Sequence, residues 1–121
     1  MMNDKGEMVG PLRVWKKNEN VPGLGMSRSF GDKIGFQCGV IAKPEIMEWV
    51  LSEEDKFIIL ASDGIWEFMD SEEVVSLVKD SYISNNIQVA AENLVLESSK
   101  RWKQKEGVID DITLILIFFE D

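Results

Sequence analysis

The chain has 121 residues, 45% hydrophobic and 29% charged, and a formal net charge of −9 from 22 acidic and 13 basic residues. That is a one-domain length with a composition that builds a core, not a disordered chain. The acidic balance disfavours sequence-independent nucleic-acid binding, which needs clustered cations, and the absence of histidine removes Ser-His-Asp triads, Cys-His pairs and His-based zinc sites.

In chain order, residues 1–10 read as a flexible polar lead-in with no apolar core of a secretory signal. From Pro11 to Gly39 the chain is rich in glycine and proline, and five glycines between Gly23 and Gly39 argue for tight loops over a long helix. Cys38 is the single cysteine, which excludes an intramolecular disulfide and fits a reducing compartment. No stretch approaches the roughly 20 apolar residues of a membrane span. The expectation is an intracellular protein, cytoplasmic or nuclear, with neither membrane nor nucleic acid as partner.

Pro44 opens "PEIMEWVL", where Met47, Trp49 and Leu51 can share one face while Glu48 points away, as in a half-buried strand. Ser52 to Asp55 is an acidic turn. Phe57 to Ala61 is a continuous apolar run suited to a central strand covered on both faces. Asp70 or Ser71 then caps a helix with Glu72 and Glu73 in its first turn and Val74, Leu77 and Val78 at helical spacing. After a polar loop around Ser84 to Asn86, a second helix carries Ala91, Leu94, Ser98 and Trp102 on its inner face and stops at Gly107. Lys100, Arg101, Lys103 and Lys105 read as its solvated last turns, complementing the helix dipole. "ITLILIFF", Ile112 to Phe119, is the strongest strand signal. About three strands and two helices result, an incomplete sheet whose free edges invite self-association.

Acids stand at the ends of the two best strands: Asp63 follows Phe57–Ala61, and Asp110-Asp111 precedes Ile112–Phe119. If these strands are antiparallel neighbours, Asp63 and Asp110 meet at one sheet edge. Two such carboxylates repel unless a cation intervenes or one is protonated. Gly64 leaves room for close approach, so an oxygen-ligand site for Mg²⁺ or Mn²⁺ stands beside the plainer reading of an Asp-Gly turn and a loop-to-strand junction. Trp66 reads as core. Arg28 and Asp32 in "SRSFGD" either grip a phosphate and a metal or, the favoured reading, tie the glycine-rich loop together as an internal ion pair.

The segments "GPLRVWKKNENVPGLGMSRSFGD", "GVIAKPEI", "FIILASDGIWEFM" and "DDITLILIFF" occur in the order and spacing of the protein phosphatase 2C family. The chain resembles the C-terminal half of these metal-dependent serine/threonine phosphatases, with residues 11–121 as the C-terminal portion of the catalytic domain. The resemblance implies an α+β fold of two packed antiparallel sheets flanked by helices (αββα), with a binuclear Mg²⁺ or Mn²⁺ centre at one end of the sandwich. It assigns Asp63 and Asp110 as metal ligands, and sets Glu67 at the position of an acid linked to a weaker third metal. Asp111 takes the next position without being a direct ligand. Arg28 and Asp32 fall in a structural glycine-rich stretch beside a mobile flap. The substrate class is a protein phosphorylated on serine or threonine.

The family's Asp-Gly-His-Gly type motif, whose aspartate bridges both metals, and its phosphate-binding arginine have no match in this sequence. The expectation is therefore a piece of a phosphatase, inactive by itself. The rival reading is a non-catalytic pseudophosphatase or regulatory module that binds a partner.

Overall fold

The computed structural model describes residues 12–119. The expected lead-in, residues 1–10, lies outside them. The chain divides into two compact units, Met1–Trp49 and Val50–Asp121.

In the first unit, β1 (Val14–Trp15) pairs antiparallel with β2 (Pro22–Leu24). The short helix α1 (Lys33–Gln37) follows, and the Asp32 carboxylate caps it by accepting the Gly35 N–H at 2.7 Å. An isolated parallel bridge joins Arg28 to Ile41, and Val40 next to it is buried.

The second unit holds the remaining elements: β3 (Phe57–Ala61), α2 (Asp63–Trp66), α3 (Ser71–Ile83), α4 (Ile87–Lys105) and β4 (Leu114–Phe118). β3 and β4 are antiparallel partners, in register from Phe57↔Phe118 to Ala61↔Leu114. Alternation turns Phe57, Ile59, Ala61, Leu114, Leu116 and Phe118 toward a core of Ile65, Met69, Val74, Val78, Ala90 and Leu94. Full burial of a Val, Leu, Ile, Met or Phe side chain stabilises the fold by about 1.5–3 kcal/mol before entropy is counted. Tyr82 closes one end by packing edge-on against Phe118, with ring centroids 5.2 Å apart.

Helix boundaries follow local chemistry. Asp70 caps α3 through a reciprocal box: it accepts the Glu73 N–H at 2.9 Å, and the Glu73 carboxylate accepts the Asp70 N–H at 3.1 Å. Asn86 caps α4 by accepting the Val89 N–H. Gly107, at φ +75°, ends α4 in the left-handed conformation that a side chain resists. No described helix is long and apolar enough to cross a membrane.

The α+β class stands, with four helices and two two-stranded antiparallel sheets among the described residues. Residues 44–51 form no strand, and Met47 and Trp49 are 86% and 72% exposed. Alternation specifies a strand only where another edge supplies hydrogen bonds and a layer covers one face, and no described strand pairs with this segment. The core strands are not covered on both faces within their unit: Leu60 and Ile115 are 55% and 56% exposed. The helices pack on the opposite face, so the outer one stays open. Trp66 is also not core. It is 38% exposed and donates its indole N–H to the Ala61 carbonyl at 3.0 Å, leaving Gly64 and Ile65 as the buried residues of that turn.

Candidate functional site

The antiparallel pairing of β3 and β4 brings the exit of one strand to the entrance of the other. Ser62, the residue after β3, fastens them. Its N–H donates to the Thr113 carbonyl at 2.9 Å, and its hydroxyl accepts the Thr113 N–H at 3.1 Å and donates to the Asp111 carbonyl at 3.3 Å. Asp63 then starts α2 between Ser62 and Gly64, the two residues that lie against the Asp111 backbone.

Gly64 makes this closeness sterically feasible. A Cβ on it would collide with the Asp111 carbonyl oxygen and lie 3.0 Å from the Ile112 Cα. The Gly64 carbonyl in turn accepts two side-chain donors of α4, the Ser98 hydroxyl and the Trp102 indole N–H, the latter at 2.7 Å. The helical spacing predicts both residues on the inner face of α4 and does not name their partner. The available signal was a hydroxyl and an indole N–H spaced i, i+4 on a buried face, where each must find an acceptor.

Asp63, Glu67, Asp110 and Asp111 are all exposed. The Asp110 carboxylate accepts the Asp111 N–H at 2.8 Å. Glu67 forms the C-cap of α2, its N–H donating to the Asp63 carbonyl at 2.9 Å. These carboxylate oxygens are hard donors that suit Mg²⁺ or Mn²⁺, and the Asp63 carboxylate takes part in no ion pair among the described residues. The fit is that of a partial ligand set: no three His, Cys, Asp or Glu side chains among the described residues are gathered to hold a metal.

Behind this edge, Arg101 of α4 binds the Phe68 carbonyl at 2.6 Å, both oxygens of Glu73 at 2.9 Å and Glu97 at 3.0 Å. It is thus a clamp between the segment after α2 and the start of α3, not part of a solvated helix end. Its hydrogen bonds hold the Glu73 and Glu97 carboxyls below the ordinary range, and theirs push the guanidinium further up.

In the first unit Arg28 and Asp32 do not pair with each other. Arg28 reaches Glu45 at 3.1 Å and the Lys43 carbonyl at 3.3 Å, while Asp32 is occupied as the cap of α1. Both keep loops in shape, through different partners from those expected. The Asp32 carboxylate is drawn to an unsatisfied helix N–H three residues ahead, the usual fate of an aspartate before a helix.

Residues 3–107 match the family model described as Protein phosphatase 2C. The chain belongs to the protein phosphatase 2C family. It is 42% identical over 112 residues to "Probable protein phosphatase 2C 72" of Arabidopsis thaliana, covering 90% of this chain and 33% of that protein. With "Probable protein phosphatase 2C 64" of Oryza sativa subsp. japonica it shares 38% identity over 110 residues, covering 89% of this chain and 25% of the relative. With "Probable protein phosphatase 2C 1" of Arabidopsis thaliana the identity is 40% over 111 residues, covering 89% and 23%. No solved structure matches the chain. The chain thus spans a third or less of the length of these protein phosphatase 2C relatives. Asp63 and Glu67 lie inside the stretch matched by the family model, and Asp110 and Asp111 lie just beyond it.

Proposed function

We propose that this chain is the C-terminal portion of a metal-dependent protein phosphatase that hydrolyses phosphoserine and phosphothreonine, with Asp63 and Asp110 contributing to a Mg²⁺ or Mn²⁺ centre. The observation that carries the reading is the contact of Ser62 and Gly64, on either side of Asp63, with the Asp111 backbone at one sheet edge, in a chain of this family. When bound, the two divalent ions activate water and stabilise charge on the phosphoryl oxygens. The chain's own part is to hold exposed carboxylates on a fixed backbone at the end of a paired strand. Asp110 is oriented by the Asp111 N–H, and Asp111 serves chiefly through its backbone. Glu67, one turn after Asp63 on the surface, is the candidate for a weaker third ion.

The complete protein is expected to dephosphorylate a phosphothreonine peptide in the presence of Mn²⁺ and to lose turnover in chelator. Undiminished hydrolysis in chelator would sink the metal assignment. The 121-residue chain alone is expected to show little or no turnover, since its carboxylates form a partial ligand set. A rate lost in Asp63→Ala would overturn that expectation.

A non-catalytic module is the second reading, favoured by the same scarcity of gathered ligands and by the open apolar face of β3 and β4. Through that face and its free edges the chain would self-associate. Turnover by the complete protein decides against it. The single cysteine is consistent with a cytoplasmic or nuclear setting.

A further inference from the structure

α2 is a single turn, Asp63–Trp66, too short to hold its own geometry by intrahelical bonds. Its direction is set from outside. On one side Ser62 is fastened to the entrance of β4 by its N–H and hydroxyl. On the other, the Gly64 carbonyl is gripped from α4 by Ser98 and Trp102, residues 34 and 38 positions further along the chain. Ser98 is 2% exposed, and the Trp102 ring rests against Phe68 at a centroid distance of 4.7 Å, so neither donor swings freely. A buried carbonyl needs one donor to be satisfied. Two donors on one oxygen occupy both lone-pair directions and fix the tilt of the Gly64 peptide plane. Asp63, an exposed residue, lies between these two clamped neighbours.

We propose that Ser98 and Trp102 are positioning residues for the Asp63 carboxylate, acting through the Gly64 carbonyl to hold it in the orientation that takes a divalent cation. This rests on the reading of Asp63 as a metal ligand. Groups that orient a ligand through its own backbone or hydrogen bonds change metal affinity when removed, by about tenfold or more.

The test is a Mn²⁺ titration of the ¹⁵N-labelled 121-residue chain, reading paramagnetic broadening of each amide, with Mg²⁺ as the diamagnetic control. Broadening is expected to centre on Asp63, Gly64 and Asp110 and to vanish there in Asp63→Asn. In Ser98→Ala, nearly the same size, and in Trp102→Phe, which keeps the ring and loses the N–H, the Mn²⁺ concentration for half-broadening is expected to rise about tenfold. Both are measured well below each variant's melting temperature. Broadening at Asp63 in the wild type with unchanged midpoints in both variants overturns the positioning role and leaves the metal reading intact, even if both variants melt earlier. No broadening at Asp63 in the wild type overturns the positioning role, while the metal reading is judged separately by the chelator test on the complete protein.

Discussion

Gly64 packs against the backbone of Asp111 so closely that a Cβ would strike the Asp111 carbonyl oxygen. The obstruction is backbone on both sides, and the Gly64 carbonyl is already held from α4, so neither partner has an easy way to give. Gly64→Ala is expected to destabilise the chain by about 1–3 kcal/mol, the usual range for overpacking, although alanine ordinarily suits a helix better than glycine. Urea unfolding of the two proteins checks this. Equal stability would mean that the strand exit and the loop before β4 have room between them for a methyl group.

Arg101 makes part of the stability depend on pH. The Glu73 and Glu97 carboxyls are held below their ordinary value, in each case first by a hydrogen bond from Arg101. A carboxyl whose folded pKa is depressed contributes its stabilisation fully above the unfolded value of ~4.3 and loses it as pH falls through the lower folded value. Arg101 keeps its charge throughout, and partial exposure of the carboxylates makes the effect modest. Melting curves from about pH 6 down to about pH 3 are expected to fall more steeply for the wild type than for Arg101→Leu. Parallel curves would show that the clamp carries no proton linkage.

Glu73 belongs to two devices at once, accepting the Asp70 N–H in the capping box and both guanidinium N–H groups of Arg101. Asp70→Ala is expected to cost about 1 kcal/mol by removing the cap of α3. Residues that share a partner couple instead of adding. The stability loss of the Asp70→Ala, Arg101→Leu double variant is therefore expected to differ from the sum of the single losses. Strict additivity in chemical denaturation would separate the cap from the clamp.

What the sequence disclosed tracks how local each interaction is. Phe57–Ala61 announces itself as a strand by an unbroken apolar run, and Asp70 and Gly107 announce helix ends by chemistry confined to one turn. The approach of Ser62 and Gly64 to the Asp111 backbone followed from one added assumption, antiparallel neighbours, because strand ends fix what lies beside them. The i, i+4 spacing of Ser98 and Trp102 says that each needs an acceptor, but which one they find, like the pairing of Arg101 with Phe68 and Glu73, depends on how the helices pack. Arg101 looked like its lysine neighbours because charge alone does not distinguish a solvated guanidinium from one meeting a carbonyl. The strand expected at Pro44–Leu51 failed for the converse reason: alternation is a local signal, and a strand is a pairwise structure.

The open face of the second unit gives the last expectation. Leu60 and Ile115 lie directly opposite one another in register, with Ile117 beside Ile115 on the same side, and all three are largely exposed. A two-stranded sheet is marginal without a further layer or further strands, and unpaired apolar edges recruit other chains. The net charge of −9 opposes association between copies, and added salt screens that repulsion. The 121-residue chain is therefore expected to associate as concentration and salt rise. Ile115→Lys adds a charge to the face without touching the core side of β4, so it should leave the melting temperature nearly unchanged and shift the chain toward monomer. Sedimentation velocity at two salt concentrations measures both effects. A wild-type chain that stays monomeric in high salt, or an Ile115→Lys variant that associates as readily, would show that this face does not drive assembly.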